Sequence, residues 1–195
     1  GIVMDVNTGA VLAMATMPDY DLNNPAVITD KATLKELKKI KDKEAYAKAY
    51  NEKVYMMWRN KVVSDTYEPG SVFKIFTAAA GLEEGVVSLD STHNCTGAIQ
   101  VADNRIHCHK REGHGVQTLT QGLVNSCNPF FITIGQKLGT EKFYKYFEAF
   151  GFTETTKVDL PAEANPVGGV TYHKKEDMGI SQLSSSAFGQ TFQVS

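Results

Sequence analysis

Apolar and polar positions alternate at the start of the chain. "GIVMDVNTGAVLAMAT", residues 1–16, holds two such stretches on either side of Asn7-Thr8-Gly9, and alternation around turn-forming residues predicts two strands joined by a tight turn. The period then changes. "MPDYDLNNP" is rich in turn formers and reads as a loop. Over residues 31–58 Lys and Glu recur at close spacing with few breakers, and Leu34, Leu37 and Ile40 make a modest apolar stripe. That pattern predicts an exposed helical insertion. Residues 71–84 are almost wholly apolar and end at Gly85. A helix apolar on most faces is buried, so this one is expected at the centre of its domain.

Helical periodicity disappears over residues 91–117, which hold two cysteines, four histidines, Gly97, Gly113 and Gly115. "AIQVADNRIHCH" predicts a hairpin turning at Asp103-Asn104. Thr118 is placed to cap a short helix, "LTQGLVN", and "NSCNP" breaks it. "FFITIGQKL" resumes a buried helix, and Gly139-Thr140 opens "EKFYKYFEAF", closed by Gly151. "TTKVDLPAE" reads as extended, and the Gly/Ser-rich tail has room for a helix at its end. Strands followed by a cluster of helices indicate an α+β domain.

With 195 residues the chain can form one sizeable domain or most of a larger one. Its net charge of -2 leaves no basic stripe for nucleic acid. No apolar run approaches the ~20 residues of a bilayer span, and no signal peptide is visible. The opening reads as the middle of a domain, so the chain is expected to be a fragment. Three cysteines, Cys95, Cys108 and Cys127, allow one disulfide, a metal site or three buried thiols.

"YEPGSVFKIFTAAAGLEEG" places Ser71 just after a Pro-Gly turn, with Lys74 one helical turn on. Residues three apart share a helix face. A serine is a poor nucleophile until a base takes its proton. A lysine desolvated by apolar neighbours has a lowered pKa and can be that base, while a helix N-terminus favours a developing oxyanion. A capping serine beside a snorkelling lysine explains the same spacing. "NSCNPFF" adds Ser126 and Asn128 in a break between two helices. Ser126 is placed to relay a proton to a leaving amine, and Asn128 to hydrogen-bond both the lysine and a substrate amide.

Ser-x-x-Lys followed about 50 residues later by Ser-x-Asn resembles the penicillin-binding proteins and serine β-lactamases. "GHGVQTLTQGLVNSCNPFF", "KVDLPAE", the opening "MDVNTGAVLAMATMPDYDLNNP" and the tail "FGQTFQVS" are similar to the transpeptidase domain of class B penicillin-binding proteins. The likeness covers nearly the whole chain apart from residues 31–58. It implies the penicillin-binding transpeptidase/serine β-lactamase-like fold, here its N-terminal and central portion. It also implies a serine D,D-transpeptidase in which Ser71 is acylated, Lys74 is its base, and Ser126 and Asn128 complete the relay and the substrate clamp. Implied partners are the D-Ala-D-Ala stem peptide of peptidoglycan, β-lactam antibiotics and a glycosyltransferase in the membrane. Acyl transfer needs no cofactor. The intact protein is expected to carry a single membrane anchor with this domain outside the cell.

One departure stands out. The family's Lys-Thr/Ser-Gly element, which grips the substrate carboxylate, is absent, so these residues alone are expected to be inactive. A serine β-lactamase shares both motifs. Its class A members need a deacylating glutamate, and Glu163 in "DLPAEANPVGG" lacks the expected spacing. A β-lactam sensor and an inactive scaffold are further alternatives; intact Ser71 and Lys74 argue against the scaffold.

The resemblance also implies a Cys95–Cys108 disulfide, since the family commonly has cysteines at such positions. The residues themselves suit a structural zinc site. Hairpin alternation puts His107 and His109 on the face opposite Cys108. His93 is a further histidine of this stretch, but Cys95 and Cys108 can meet across adjacent strands, the Asp103 turn can fold back and His114 follows in a Gly-flanked loop, so these four are the preferred set for a tetrahedral ion. Cys127 is a rival thiol expected to pack inward, and three unlinked thiols are the remaining alternative.

Overall fold

A computed structural model describes residues 1–195, which form two compact units, Gly1–Asp65 and Thr66–Ser195. In the first unit, β1 (Ile2–Met4) and β2 (Val11–Met14) pair antiparallel. The Asp5 carboxylate accepts from the N–H groups of Asn7 and Thr8 and fixes the turn between them. Residues 31–58 are two helices rather than one run, α1 (Lys31–Leu37) and α2 (Lys43–Trp58). Each has an aspartate at its N-cap: Asp30 accepts from Thr33 N–H and Asp42 from Ala45 N–H, which satisfies backbone donors the helix leaves orphaned. The apolar stripe is not wholly solvated. Leu37 is buried with Ile28 and Val54, and Leu34, Ile40, Tyr46 and Tyr50 pack around them, giving the insertion a small core of its own. A single-turn helix, α3 (Lys61–Ser64), follows.

The second unit opens on a 3-10 turn, Gly70–Phe73, that runs into α4 (Lys74–Glu83). The α-helix therefore starts at Lys74, and Ser71 sits on the tighter turn before it. Nor is α4 enclosed on all sides. Phe73, Lys74, Thr77, Ala78, Ala80 and Gly81 are buried, while Val72 and Ile75 are each 60% exposed on the opposite face. The apolar run thus reflects one core face and one open stripe.

Four short strands follow: β3 (Thr92–Cys95), β4 (Ala98–Val101), β5 (Asn104–His107) and β6 (Gly115–Thr118). The β4–β5 hairpin turns through Ala102-Asp103, one residue earlier than expected, and β3 pairs with β6. Thr118 caps α5 (Leu119–Val124), and Gln121 reaches back to the Thr118 N–H, closing a capping box. In α6 (Asn128–Ala149) helical geometry breaks at Gly139, as the Gly-Thr pair predicts. No strand forms over "TTKVDLPAE". The last helix, α7 (Ile180–Ser186), lies before "FGQTFQVS" rather than in it.

The core gathers where α6 packs against both α4 and α7. Phe73 stands beside Phe76, Phe143, Phe147, Phe152 and Phe192, with ring centroids 4.8–6.2 Å apart, a spacing at which aromatic edges and faces attract. The tail runs back beside the Ser71 turn. Tyr67 bridges Val194, Glu68 accepts from the Thr191 N–H, and the Thr77 hydroxyl donates to the Ala187 carbonyl at 2.8 Å.

Where tail and turn meet, Gly70 N–H donates to the Gly189 carbonyl at 2.8 Å. Gly189 has φ +84, and a Cβ there would lie 2.0 Å from the Gly70 oxygen. Gly189→Ala is expected to cost about 2–3 kcal/mol from left-handed strain and backbone collision, read as a lowered melting temperature. An unchanged melting temperature would show that the turn and tail are not held in this contact.

Candidate active site

Lys74 is fully buried, and four oxygen atoms surround its Nζ. Ser71 Oγ is at 3.1 Å, Ser126 O at 2.9 Å, Ser126 Oγ at 2.8 Å and Asn128 Oδ1 at 2.7 Å. The Phe131 ring centroid lies 5.7 Å away. Burial lowers the lysine to about 8, against smaller upward contributions from the Cys127 and Cys108 thiols. A minority of the amine, about a tenth at pH 7 and rising to about half at pH 8, is then neutral. A neutral amine has two N–H groups and one lone pair. The Ser126 carbonyl and Asn128 Oδ1 can only accept, so they take both N–H groups. The lone pair is left for a hydroxyl proton from Ser71 or Ser126, the arrangement a general base requires.

The four residues converge because of where the chain breaks. Ser71, on the exposed side of the 3-10 turn, lies three residues before Lys74. Ser126, 52 residues after Lys74 and just past the Asn125 C-cap of α5, adopts φ +48, a left-handed conformation unusual for a residue with a Cβ. Ser126 N–H donates to the Leu123 carbonyl and Cys127 N–H to the Gly122 carbonyl. This closes α5 and turns both the Ser126 hydroxyl and carbonyl onto Lys74. Asn128 then begins α6, with Pro129 in its first turn, where a missing N–H is tolerated.

Beside this constellation lie Cys95, Cys108, His114 and Cys127, whose ligand atoms are all within 4.8 Å of one another. The three thiols are free, with no Cys95–Cys108 bond. Cys95 ends β3 opposite Gly115. Cys108 follows β5, its N–H bonded to the Gly97 carbonyl, and its sulfur is 3.5 Å from His114 Nδ1. Gly113 permits the approach, since a Cβ there would stand 2.1 Å from the Cys95 carbonyl oxygen. Burial pushes the Cys127 thiol up to about 12. Of the group expected from sequence, Cys95, Cys108 and His114 come together. Asp103 does not: it is exposed at the far tip of the β4–β5 hairpin, and Cys127 fills the fourth place. Cys127 does pack inward, and inward is toward the other two sulfurs. Only the α5–α6 break, which brings residue 127 beside β3, reveals this.

Glu163 does not face Lys74's partners. Its carboxylate accepts from the Thr156 N–H and hydroxyl. Sequence reasoning also passed over Gln117, a buried amide on β6 bonded to Asn125; its position between two apolar-patterned segments gave no signal of a buried polar link.

Residues 1–195 match the family model of the penicillin binding protein transpeptidase domain. The chain belongs to that family. Among curated proteins, stage V sporulation protein D of Bacillus subtilis is 36% identical over 195 residues, 99% of this chain and 26% of that protein. A probable peptidoglycan D,D-transpeptidase of Caulobacter vibrioides is 28% identical, covering all of this chain and 28% of its own length. The chain therefore spans about a quarter of the length of these relatives. Among solved structures, PBP2 of Pseudomonas aeruginosa superposes with a TM-score of 0.77 at 26% identity, covering 99% of this chain and 42% of that one. The class B resemblance and the penicillin-binding transpeptidase fold both hold.

Ser126 ties backbone strain to the placement of its hydroxyl. Ser126→Gly removes the left-handed strain of roughly 1 kcal/mol and costs a similar amount of chain entropy. It should melt within a few degrees of the parent, whereas Ser126→Val should melt clearly lower. Equal melting temperatures for the two variants would mean that residue 126 is not held left-handed in solution.

Proposed function

We propose that the intact protein is a serine D,D-transpeptidase that cross-links peptidoglycan stem peptides through an acyl-enzyme on Ser71 and is a covalent target of β-lactams. The observation that carries this is the buried Lys74 amine within hydrogen-bonding distance of Ser71, Ser126 and Asn128. Family membership and relatives named as peptidoglycan D,D-transpeptidases support the substrate class. Lys74 takes the Ser71 proton as Oγ attacks the carbonyl of the penultimate D-alanine. The tetrahedral adduct collapses, the C–N bond breaks, and Ser126 passes the proton to the departing D-alanine amine. An acceptor amine from a neighbouring stem peptide then attacks the ester, gives up its proton along the same path, and frees Ser71. Asn128 holds Lys74 in place and offers its amide N–H groups to the substrate backbone. Work on the outer face of the membrane implies an anchor elsewhere in the intact protein and a membrane glycosyltransferase that supplies the glycan strand. No Lys-Thr-Gly or Lys-Ser-Gly occurs in these residues, so they are proposed to be inactive by themselves.

Fluorescent penicillin tests this on the full-length protein. Ser71→Ala should abolish covalent labelling, and Lys74→Ala should slow it at least ~100-fold, the scale of a lost general base. With Lys74 near pH 8, the base form grows with pH. The acylation rate should climb roughly tenfold per unit below that value and level off above it. Labelling that persists in Ser71→Ala overturns the nucleophile assignment. Rapid turnover of the label indicates a lactamase, and no labelling of the parent indicates a scaffold.

We further infer that Cys95, Cys108, His114 and Cys127 hold a structural zinc ion. Three thiolates and one imidazole form a closed tetrahedral set. Such a set has sulfur atoms about 3.8 Å apart at ordinary Zn–S distances, within the span of the present cluster. The ion would tie β3, the β5 end and the β6 start to the residue between Ser126 and Asn128. Protein purified without chelator should contain about one zinc per chain, and Cys108→Ser should lose the metal and melt lower. Metal-free protein that keeps its stability and penicillin binding after chelation would exclude the site.

A further inference from the structure

The amide of Gln117 is 2% exposed on β6, opposite His93 of β3. Its Oε1 accepts from Asn125 Nδ2 at 3.1 Å, while its Nε2 is buried with no partner. An unpaired buried N–H costs about 1–3 kcal/mol, and an apolar side chain of the same shape avoids that cost. The useful end of Gln117 is therefore its oxygen, and what that oxygen holds is the last residue before Ser126.

α5 has six residues, too few to hold itself as a helix. β6 grips it at both ends. Thr118 and Gln121 close the first turn reciprocally. Gln117, one residue earlier, holds Asn125 at the last, where the Asn125 N–H donates to the Gln121 carbonyl at 2.8 Å. Ser126 comes next, in its left-handed conformation. Strain there favours relaxation toward right-handed geometry, which would carry the Ser126 carbonyl and hydroxyl off Lys74. A tether on the preceding residue opposes that movement.

We infer that Gln117 is a positioning residue for acyl transfer, acting through Asn125 to hold Ser126 against Lys74. The inference rests on the acyl-enzyme reading above. It makes the register of the β3–β6 strand pair a determinant of acylation rate, through a side-chain link that uses none of the cysteines.

The test is a double-mutant cycle in the full-length protein, reading β-lactam acylation by stopped flow well below the melting temperature. Gln117→Met keeps the shape and removes the acceptor; Asn125→Ala removes the donor at a half-buried site that tolerates truncation, and it carries the test should Gln117→Met fail to fold. Each is expected to lower the limiting acylation rate constant about tenfold, the scale of one lost positioning hydrogen bond. The noncovalent β-lactam dissociation constant should stay unchanged, and the double variant should be no slower than either single one, as for two ends of one link. Variants that melt lower yet acylate at the parental rate would overturn the inference and leave a purely structural amide. So would single effects that multiply in the double variant. A parent protein that is never acylated would instead overturn the acyl-enzyme reading, and this inference with it.

Discussion

Everything in the candidate site depends on keeping one amine out of water. Lys74 has a four-carbon stem and a head group that ordinarily prefers solvent, yet none of it is exposed. Removing an ammonium from water is costly, and the protein meets that cost in two ways. It lowers the lysine toward about 8, so that neutral amine is accessible, and it surrounds the nitrogen with four oxygens at 2.7–3.1 Å. The sign of the linkage is clear. A lysine depressed from 10.5 to about 8 weakens the folded state fully below pH 8, and the penalty fades as pH rises toward 10.5. The fold tolerates this because the α4–α6–α7 core supplies stability elsewhere, with its phenylalanine cluster around Phe73. That is the usual relation between a scaffold and a strained functional site.

A buried amine requires acceptors that do not drift, and the chain provides them by interrupting a helix. Had α5 run directly into α6, Ser126 would point along a helix side and its carbonyl would be used within the helix. The left-handed turn at Ser126 frees both oxygens together. Around that turn, flanking elements are tied down from several directions: Thr118 and Gln121 at the start of α5, Gln117 at its end, and Cys127 among two other thiols and an imidazole. The small β-strands exist in this region largely to set those positions. Their register puts Cys95 opposite Gly115 and His93 opposite Gln117, so one strand pair serves both the sulfur cluster and the amide link.

Much of this was legible in the sequence, for physical reasons that differ by residue. Ser71 and Lys74 lie three apart on an apolar run, and helical geometry alone brings them together. The turn around Asn7-Thr8-Gly9, the Thr118 cap and the break at Gly139 follow from local chemistry in the same way. Ser126 and Asn128 meet Lys74 across more than fifty residues, and the motif resemblance located them where periodicity could not. What escaped was long-range or solvent-dependent. Asp103 is a ligand only if its turn folds back on the cysteines, and hairpin alternation fixes no more than which face a residue takes. It does not fix which end of the hairpin lies near the other cysteines, and Asp103 is at the wrong end. The burial expected for residues 71–84 holds for the face packed against α6 and not all round, because an apolar run cannot report that Val72 and Ile75 stay exposed. "TTKVDLPAE", read as extended, enters no strand pairing.

The cysteine cluster and the oxygens around Lys74 share a single peptide, Ser126-Cys127-Asn128, and that adjacency constrains both. A change in geometry at Cys127 moves its neighbours on either side, since no flexible spacer separates them. Cys127 is also fully buried, with Phe130 and Phe131 close behind it on α6, so it cannot swing outward to absorb the displacement. The adjacency runs the other way as well. Lys74 feels the Cys127 and Cys108 thiols electrostatically, each of which raises its proton affinity. A charge on the sulfur cluster would therefore make the amine more basic, so the two groups are linked through the local field as well as through the shared peptide.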